Sequence, residues 1–254
     1  MPRVLLEACV DSVESALAAQ AGKADRVELC SNLLEGGTTP SAGMMEVWGE
    51  RLRVPMHILV RPRGGDFVYS DVEIEVMQRD IALAKQLGAK AVVLGALHPD
   101  GTIHVEQVRA LMGAAHPLSV TFHRAFDFTP DADAALDTLI GLGVERVLTS
   151  GQAPMAVEGT QTLRRLVTRA EGRIGILAAG GMSEENVTTV VERTGVREVH
   201  VRATALFESL ASFRPRHLSL LKQPLPNEFD RAVTDPDRIR RISGLLGDIP
   251  SARS

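Results

Sequence analysis

One phrase recurs four times along the 254 residues: an apolar helix tail, a glycine, a short polar link and a β-branched run. It reads "AAQAGKADRVELC", "AKQLGAKAVVLGA", "LIGLGVERVLTSG" and "VERTGVREVHVRA". The glycines are Gly22, Gly88, Gly143 and Gly195, each suited to the left-handed position that ends a helix, and the runs that follow suit strands. Successive joints lie about 50 to 65 residues apart, roughly two βα units, so each interval must hold one further strand. "VPMHILV" (54–60), "PLSVTFH" (117–123) and "RIGILAA" (173–179) fill the intervals, and "VLLEACV" (4–10) precedes the first joint. Eight strands result.

Helical patterns separate them, clearest in "DVEIEVMQRDIALAKQLG", where Met77, Ile81 and Ala84 form a stripe and Glu75, Arg79 and Lys85 lie off it. Near-continuous apolar strands alternating with helices predict an α/β chain: a parallel sheet closed into a (βα)8 TIM-type barrel, expected as a single domain over 1–254. An open doubly wound sheet is the alternative. No G-x-G-x-x-G follows the first strand, so no nucleotide cofactor is expected. From about residue 204 to 254 the pattern breaks into an irregular extension carrying Pro215, Pro224, Pro226 and Pro236. Asp235 and Pro236 read as the N-cap and first residue of a final helix, and "SARS" as a frayed end.

Charge excludes several classes of partner. The 28 Lys and Arg against 32 Asp and Glu give net −4 without any run of like charge, which predicts neither nucleic-acid nor membrane binding. The N-terminal apolar run is interrupted by Glu7, unlike a signal segment or a membrane span, and predicts a first core strand of a cytoplasmic protein. Two cysteines make no disulfide framework, and a reducing cytosol would keep them as thiols.

Alternation along each strand sends one parity to the helices and the other to the barrel axis. If Leu6, Ala8, Val27, Leu29, Ile58, Val60, Val120, Phe122, Val199 and Val201 face helices, the axis receives a polar set. That set is Glu7, Cys9, Glu28, Cys30, His57, Arg61, His123, His200 and Arg202, with Thr149 or Ser150 from the sixth strand. The fourth strand, "AVVLGAL", is apolar on both parities. Buried unpaired charge costs several kcal/mol, so such an axis is either a paired network, Glu7 and Glu28 against Arg61 or Arg202, or a wet site. His57 and His200 lie deeper, where satisfied core histidines are the simpler reading. Cys9, Cys30, Arg61, His123 and Arg202 fall near the C-terminal strand ends, where barrels of this type place their chemistry.

The loops add candidates. "RPRGGDFVYSD" offers Arg61 and Arg63 as forked donors for a carboxylate or phosphate. "LTSGQ" offers Ser150 as a neutral donor without a nucleophile elbow. "AAGGMSEEN" places Ser183 as a helix N-cap, with Glu184 and Glu185 filling the first turn and repelling a dianion. Arg124 and Asp127 read as an ion pair at the rim. Cys9 and Cys30 end adjacent strands with the same parity, so their sulfurs could share one soft ion; two thiolates suffice for Cu(I), whereas zinc asks for about four ligands. Two packed hydrophobes is the simpler reading of the pair.

"EACVDSVESALAAQAGKADRVELC", "GGTTPSAG", "RPRGGDFVYSD", "TFHRAFD", "LTSGQ" and "GGMSEENV" together resemble the CutC family, named for copper homeostasis. The match runs in order from about Glu7 to Glu185 and recurs faintly in "NEFDRAVTD". The resemblance implies a TIM-type barrel, a cytoplasmic location, homo-oligomers with a dimer as the expected form, and copper handling through Cu(I). Two functions follow as expectations, beside a third, a scaffold acting through its surface that needs only the barrel and an oligomer interface. One is a copper-homeostasis protein with Cys9 and Cys30 as metal ligands. The other is an enzyme acting on a small anionic carboxylate or phosphate, with His123 or Glu28 as general acid/base and Glu7, Arg61, Arg63, Ser150 and Arg202 around the ligand.

Overall fold

A computed structural model describes residues 3–215 and 229–249. Eight parallel strands close into a barrel in chain order: β1 (Leu5–Val10), β2 (Arg26–Leu29), β3 (Met56–Leu59), β4 (Ala91–Leu94), β5 (Ser119–Phe122), β6 (Arg146–Thr149), β7 (Gly175–Ala178) and β8 (Glu198–Val201), with β8 pairing back to β1. Helices α1 (Val13–Ala21), α2 (Ala42–Arg51), α3 (Asp71–Gln86), α4 (Val105–Ala115), α5 (Ala132–Leu142), α6 (Thr160–Ala170) and α7 (Val187–Thr194) follow the first seven strands. The expected closed barrel is present. Among the described residues no helix is long and apolar enough to cross a membrane.

Two apolar compartments explain why the strands close. Leu6, Ala8, Val27, Leu29, Ile58, Val120, Phe122, Val199 and Val201 all join the core between strands and helices, as does the α3 stripe of Met77, Ile81 and Ala84. Side chains of opposite parity form separate clusters on the axis, Cys9 with Cys30, Leu59 and Val93, and Leu148 with Leu177 and Ala179. A one-residue slip of any strand would exchange its two faces, so this division fixes the register. On the sixth strand the axis receives Leu148 and not Thr149.

Three local expectations need correction. Gly88, Gly143 and Gly195 take positive φ, but Gly22 closes α1 at φ −76 and Lys23 takes the left-handed turn instead. Gly22 is required for close approach: a Cβ there would lie 2.5 Å from Ile239 Cβ, where the last helix crosses α1. The extension is also not wholly irregular, because β9 (Thr204–Phe207) pairs antiparallel with β10 (Arg231–Thr234). The final helix α8 (Pro236–Gly247) is capped by Asp235 with Pro236 in its first turn, as expected. Pro224, Pro226 and the "SARS" end lie outside the described residues.

The third correction concerns "GGMSEEN". Helix α7 begins at Val187, and the residue at its N-cap position is Asn186 and not Ser183. Asn186 Oδ1 instead accepts from the Ser183 amide, closing the preceding turn. Glu184 turns away from the barrel and accepts two hydrogen bonds of 2.8 and 2.9 Å from Arg238 on α8. That bidentate pair, with Arg241 nearby, holds the Glu184 carboxyl down at about 2. A depressed carboxylate pKa stabilises the fold above the unfolded value near 4.3, and the contribution is lost as pH falls through the folded value. Glu184→Gln should therefore cost about 1–2 kcal/mol at pH 7 in urea unfolding, with the gap to the parent closing between about pH 4.5 and 2. A gap independent of pH would show that the pair does not dock α8.

Candidate functional site

The axis is layered by charge. At the N-terminal end, Arg26 from β2 bridges two carboxylates: its Nε donates to Glu7 at 2.6 Å and its outer nitrogen to Glu198. Arg146 joins the same layer, donating to Glu198 at 2.9 Å and to Ser119 Oγ at 3.1 Å. Arg26, Arg146 and Glu198 lie outside the inward set that the sequence predicts. Their signal was available, since each lies two residues before an inward position on its strand. Glu7 and Glu28 are thus not paired with Arg61 or Arg202, because the strand register brings Arg26 beside Glu7 and leaves the other arginines a layer or more above.

One layer up, Glu7 meets two imidazoles. Its Oε1 lies 2.7 Å from His200 Nδ1, and its Oε2 lies 3.3 Å from His57 Nδ1. Burial raises the Glu7 pKa, but Arg26 and the two imidazoles outweigh it and hold the carboxyl well below its usual range. Burial likewise disfavours the charged form of His200, yet contacts to Cys9, Glu7 and Glu28 push its pKa well above 6.5. His200 is therefore an imidazolium at neutral pH. Glu28, with Oε2 at 3.8 Å from His200 Nε2, is raised chiefly by burial.

Above this floor the barrel opens into a cavity of about 970 Å³ at its C-terminal mouth. Cys9, Glu28, Arg61, His123, His200 and Arg202 all line it, so five expected site residues come together and His200 adds a sixth. Cys30 sits just beneath with its Sγ 3.9 Å from that of Cys9 and its thiol donating to the Val10 carbonyl. The Cys9 pKa is pushed well above 9, first by its contact with Cys30 and then by burial, so this thiol keeps its proton until an ion or base displaces it.

The remaining candidates are placed elsewhere. Arg63 lies on the loop outside the cavity lining, with Nε 2.6 Å from Glu73, which also closes the capping box of α3 through Ser70. The S-x-x-E spacing of Ser70 and Glu73 marks that helix start, and it draws Arg63 away from Arg61. Ser150 lies behind the wall, between Arg124 at 2.9 Å and Asp127 at 3.0 Å. The Arg124–Asp127 pair forms at 2.8 Å as expected. Asp127 does more than pair: it also accepts from Thr149, from the amides of Ser150 and Gln152, and so ties the β5 loop to the β6 loop. Arg202 stands at the rim with Asp11 3.9 Å away.

Arg61 is buried and spends three donors on loop carbonyls, those of Glu35, Gly37 and Gly65 at 2.6 to 2.9 Å. Its guanidinium lies 5.1 Å from the centre of the Phe67 ring, which also packs against the His123 ring at 4.9 Å. His123 Nδ1 accepts from the Ala125 amide at 3.2 Å, which assigns the ring proton to Nε2. Burial, then Arg61, lower its pKa to about 3, so the ring is a neutral donor. The apolar fourth strand contributes by omission: a Cβ on Gly95 would lie 2.7 Å from the His123 ring. Gly95→Ala should push that ring off its cap and cost about 1–3 kcal/mol in denaturant unfolding; a loss under about 0.5 kcal/mol would contradict the close approach.

Comparison with known proteins places this geometry in a family. The CutC family model matches residues 4–205. A human copper homeostasis protein cutC homolog is 46% identical over 245 residues, 96% of this chain and 90% of the relative. A family protein CutC of Xanthomonas axonopodis pv. citri (strain 306) is 51% identical over 241 residues, 95% of this chain and 98% of the relative. A solved CutC structure from Streptococcus agalactiae is 35% identical with a TM-score of 0.75, covering 78% of this chain and 97% of its own. A phosphoribosylanthranilate isomerase from Pyrococcus furiosus, 12% identical with a TM-score of 0.57 over 97% of this chain and 100% of its own, shares the fold alone. The chain belongs to the CutC family.

Proposed function

We propose that this protein serves copper homeostasis by holding one Cu(I) between Cys9 and Cys30 at the floor of the barrel mouth. The observation that carries the reading is the pair of sulfurs 3.9 Å apart, on adjacent strands, with Cys9 facing the cavity. Sulfur ligands sit about 2.3 Å from such an ion, so the thiols need to spread by less than about 1 Å. Soft thiolates select Cu(I), and two of them satisfy it.

Charge supports the same occupant. A Cu(I) ion entering between two thiols displaces both protons and leaves a complex of net charge −1. The His200 imidazolium beside Cys9 supplies the opposite charge. Cys9, Glu28 and His200 bring one ligand atom each within 4.8 Å of one another, so zinc would find donors there too. Zinc on that set would take one sulfur with an imidazole and a carboxylate, whereas Cu(I) gains both sulfurs, which favours the monovalent ion.

The protein acts in the cytoplasm, where reducing conditions keep the two thiols unoxidised. It assembles as a homo-oligomer, with a dimer as the expected form; the exposed Leu206, Phe207, Leu210 and Phe213 give it apolar surface for such a contact. Catalysis on an anion is the weaker reading, because Arg63 is drawn off to α3 and the three-arginine clamp does not assemble. Anaerobic titration with Cu(I) should show one tightly held ion per chain. The ion should be lost in the Cys9→Ser, Cys30→Ser double variant, and retention of stoichiometric binding in that variant would overturn the reading.

A further inference from the structure

A cavity of about 970 Å³ is far larger than one ion between two thiols needs, and lies at the upper end of the range for small-molecule sites. Its walls are largely apolar, with Leu33, Phe67, Leu97, Phe128, Leu148 and Met182 among them. Two side chains on that lining hold covered nitrogens with no hydrogen-bond acceptor within reach, Arg61 Nε, whose guanidinium neighbours the Tyr69 hydroxyl, and His123 Nε2. Buried donors are nearly always paired, and each orphan leaves a desolvation cost of about 1–3 kcal/mol that a bound acceptor would recover. Both residues are held in place by their other bonds, Arg61 through three loop carbonyls and His123 through the Ala125 amide, so the free donors are preorganised.

We propose that the barrel mouth is a binding site for a small organic carboxylate with an apolar body, its carboxylate accepting from Arg61 and His123 above the thiol floor. The positive guanidinium favours an anion over a neutral carbonyl compound. Glu35 and Asp66 also line the mouth, which disfavours a phosphate dianion. The loop after β7 gives phosphate no substitute site, since Ser183 and Asn186 close their own turn and Glu184 follows directly. Phe67, held between Arg61 and His123, and Phe128, 5.5 Å from Phe67 and exposed at the rim, supply the wall for the apolar body.

Calorimetric titration of the copper-free full-length protein with phenylpyruvate, phenyl phosphate and inorganic phosphate tests this. Phenylpyruvate should bind at one per chain and more tightly than either phosphate. His123→Asn preserves an acceptor for the Ala125 amide and removes the Nε2 donor; it should weaken binding about tenfold. Phe128→Ala alters only an exposed ring and should weaken it about fivefold. Three results would overturn the proposal: no heat with phenylpyruvate, phenyl phosphate binding at least as tightly, or His123→Asn binding as the parent does. Because copper is left out, any of these leaves the thiol reading untouched.

Discussion

Everything in the barrel axis rests on one buried carboxylate. Glu7 is 1% exposed, and its two oxygens are shared among Arg26, His200 and His57. An uncompensated charge at that depth would cost several kcal/mol, and breaking such a pair typically costs about 3–5 kcal/mol. The network therefore stands or falls together. Its lower arm, through Arg26 to Glu198 and Arg146, ties β1, β2, β8 and β6 across the axis where an ordinary barrel would stack branched apolar side chains. Its upper arm keeps His200 charged directly beneath the cavity.

The arrangement separates structure from site by height. Ion pairs complete one another at the closed end, where Glu7, Arg26, Arg146 and Glu198 spend their charges on each other. At the open end the polar groups are individually fixed but not mutually satisfied. Arg61 is committed to loop carbonyls, His123 to its own turn and Cys9 to Cys30, and each retains a face toward the cavity. An imidazolium beside the protonated Cys9 thiol is a floor that gains from an entering soft cation only when a proton leaves. The same imidazolium tolerates an anion overhead.

Much of this was legible because strand alternation is a rigid rule. Applied to short apolar runs, it located Cys9, Glu28, Arg61, His123 and Arg202 on one face, and all five line the cavity. Carrying the rule one step further down β2, β6 and β8 would have found Arg26, Arg146 and Glu198 and corrected the partner of Glu7. Loops follow no such period. Arg63 goes to Glu73 and Glu184 to Arg238, 54 residues away, because the tertiary fold brings those partners close, and nothing in the local spelling states it. Local spelling puts Gly22 at a left-handed cap, yet the crossing of α8 decides its role. The antiparallel pairing of β9 with β10 likewise joins segments separated by a proline-rich stretch that carries no hairpin signal.

The central claim is that Glu7 holds His200 as an imidazolium under the thiol pair. The raised folded pKa means that this contribution to stability is present below the ordinary histidine value of about 6.5 and lost only as pH rises past the folded one. The most direct measurement is the ¹⁵N chemical shifts of the His200 ring, followed in the copper-free protein as pH is raised. The account predicts that both ring nitrogens are still protonated above the ordinary histidine value of about 6.5. A ring that titrates at or below about 6.5 would contradict it.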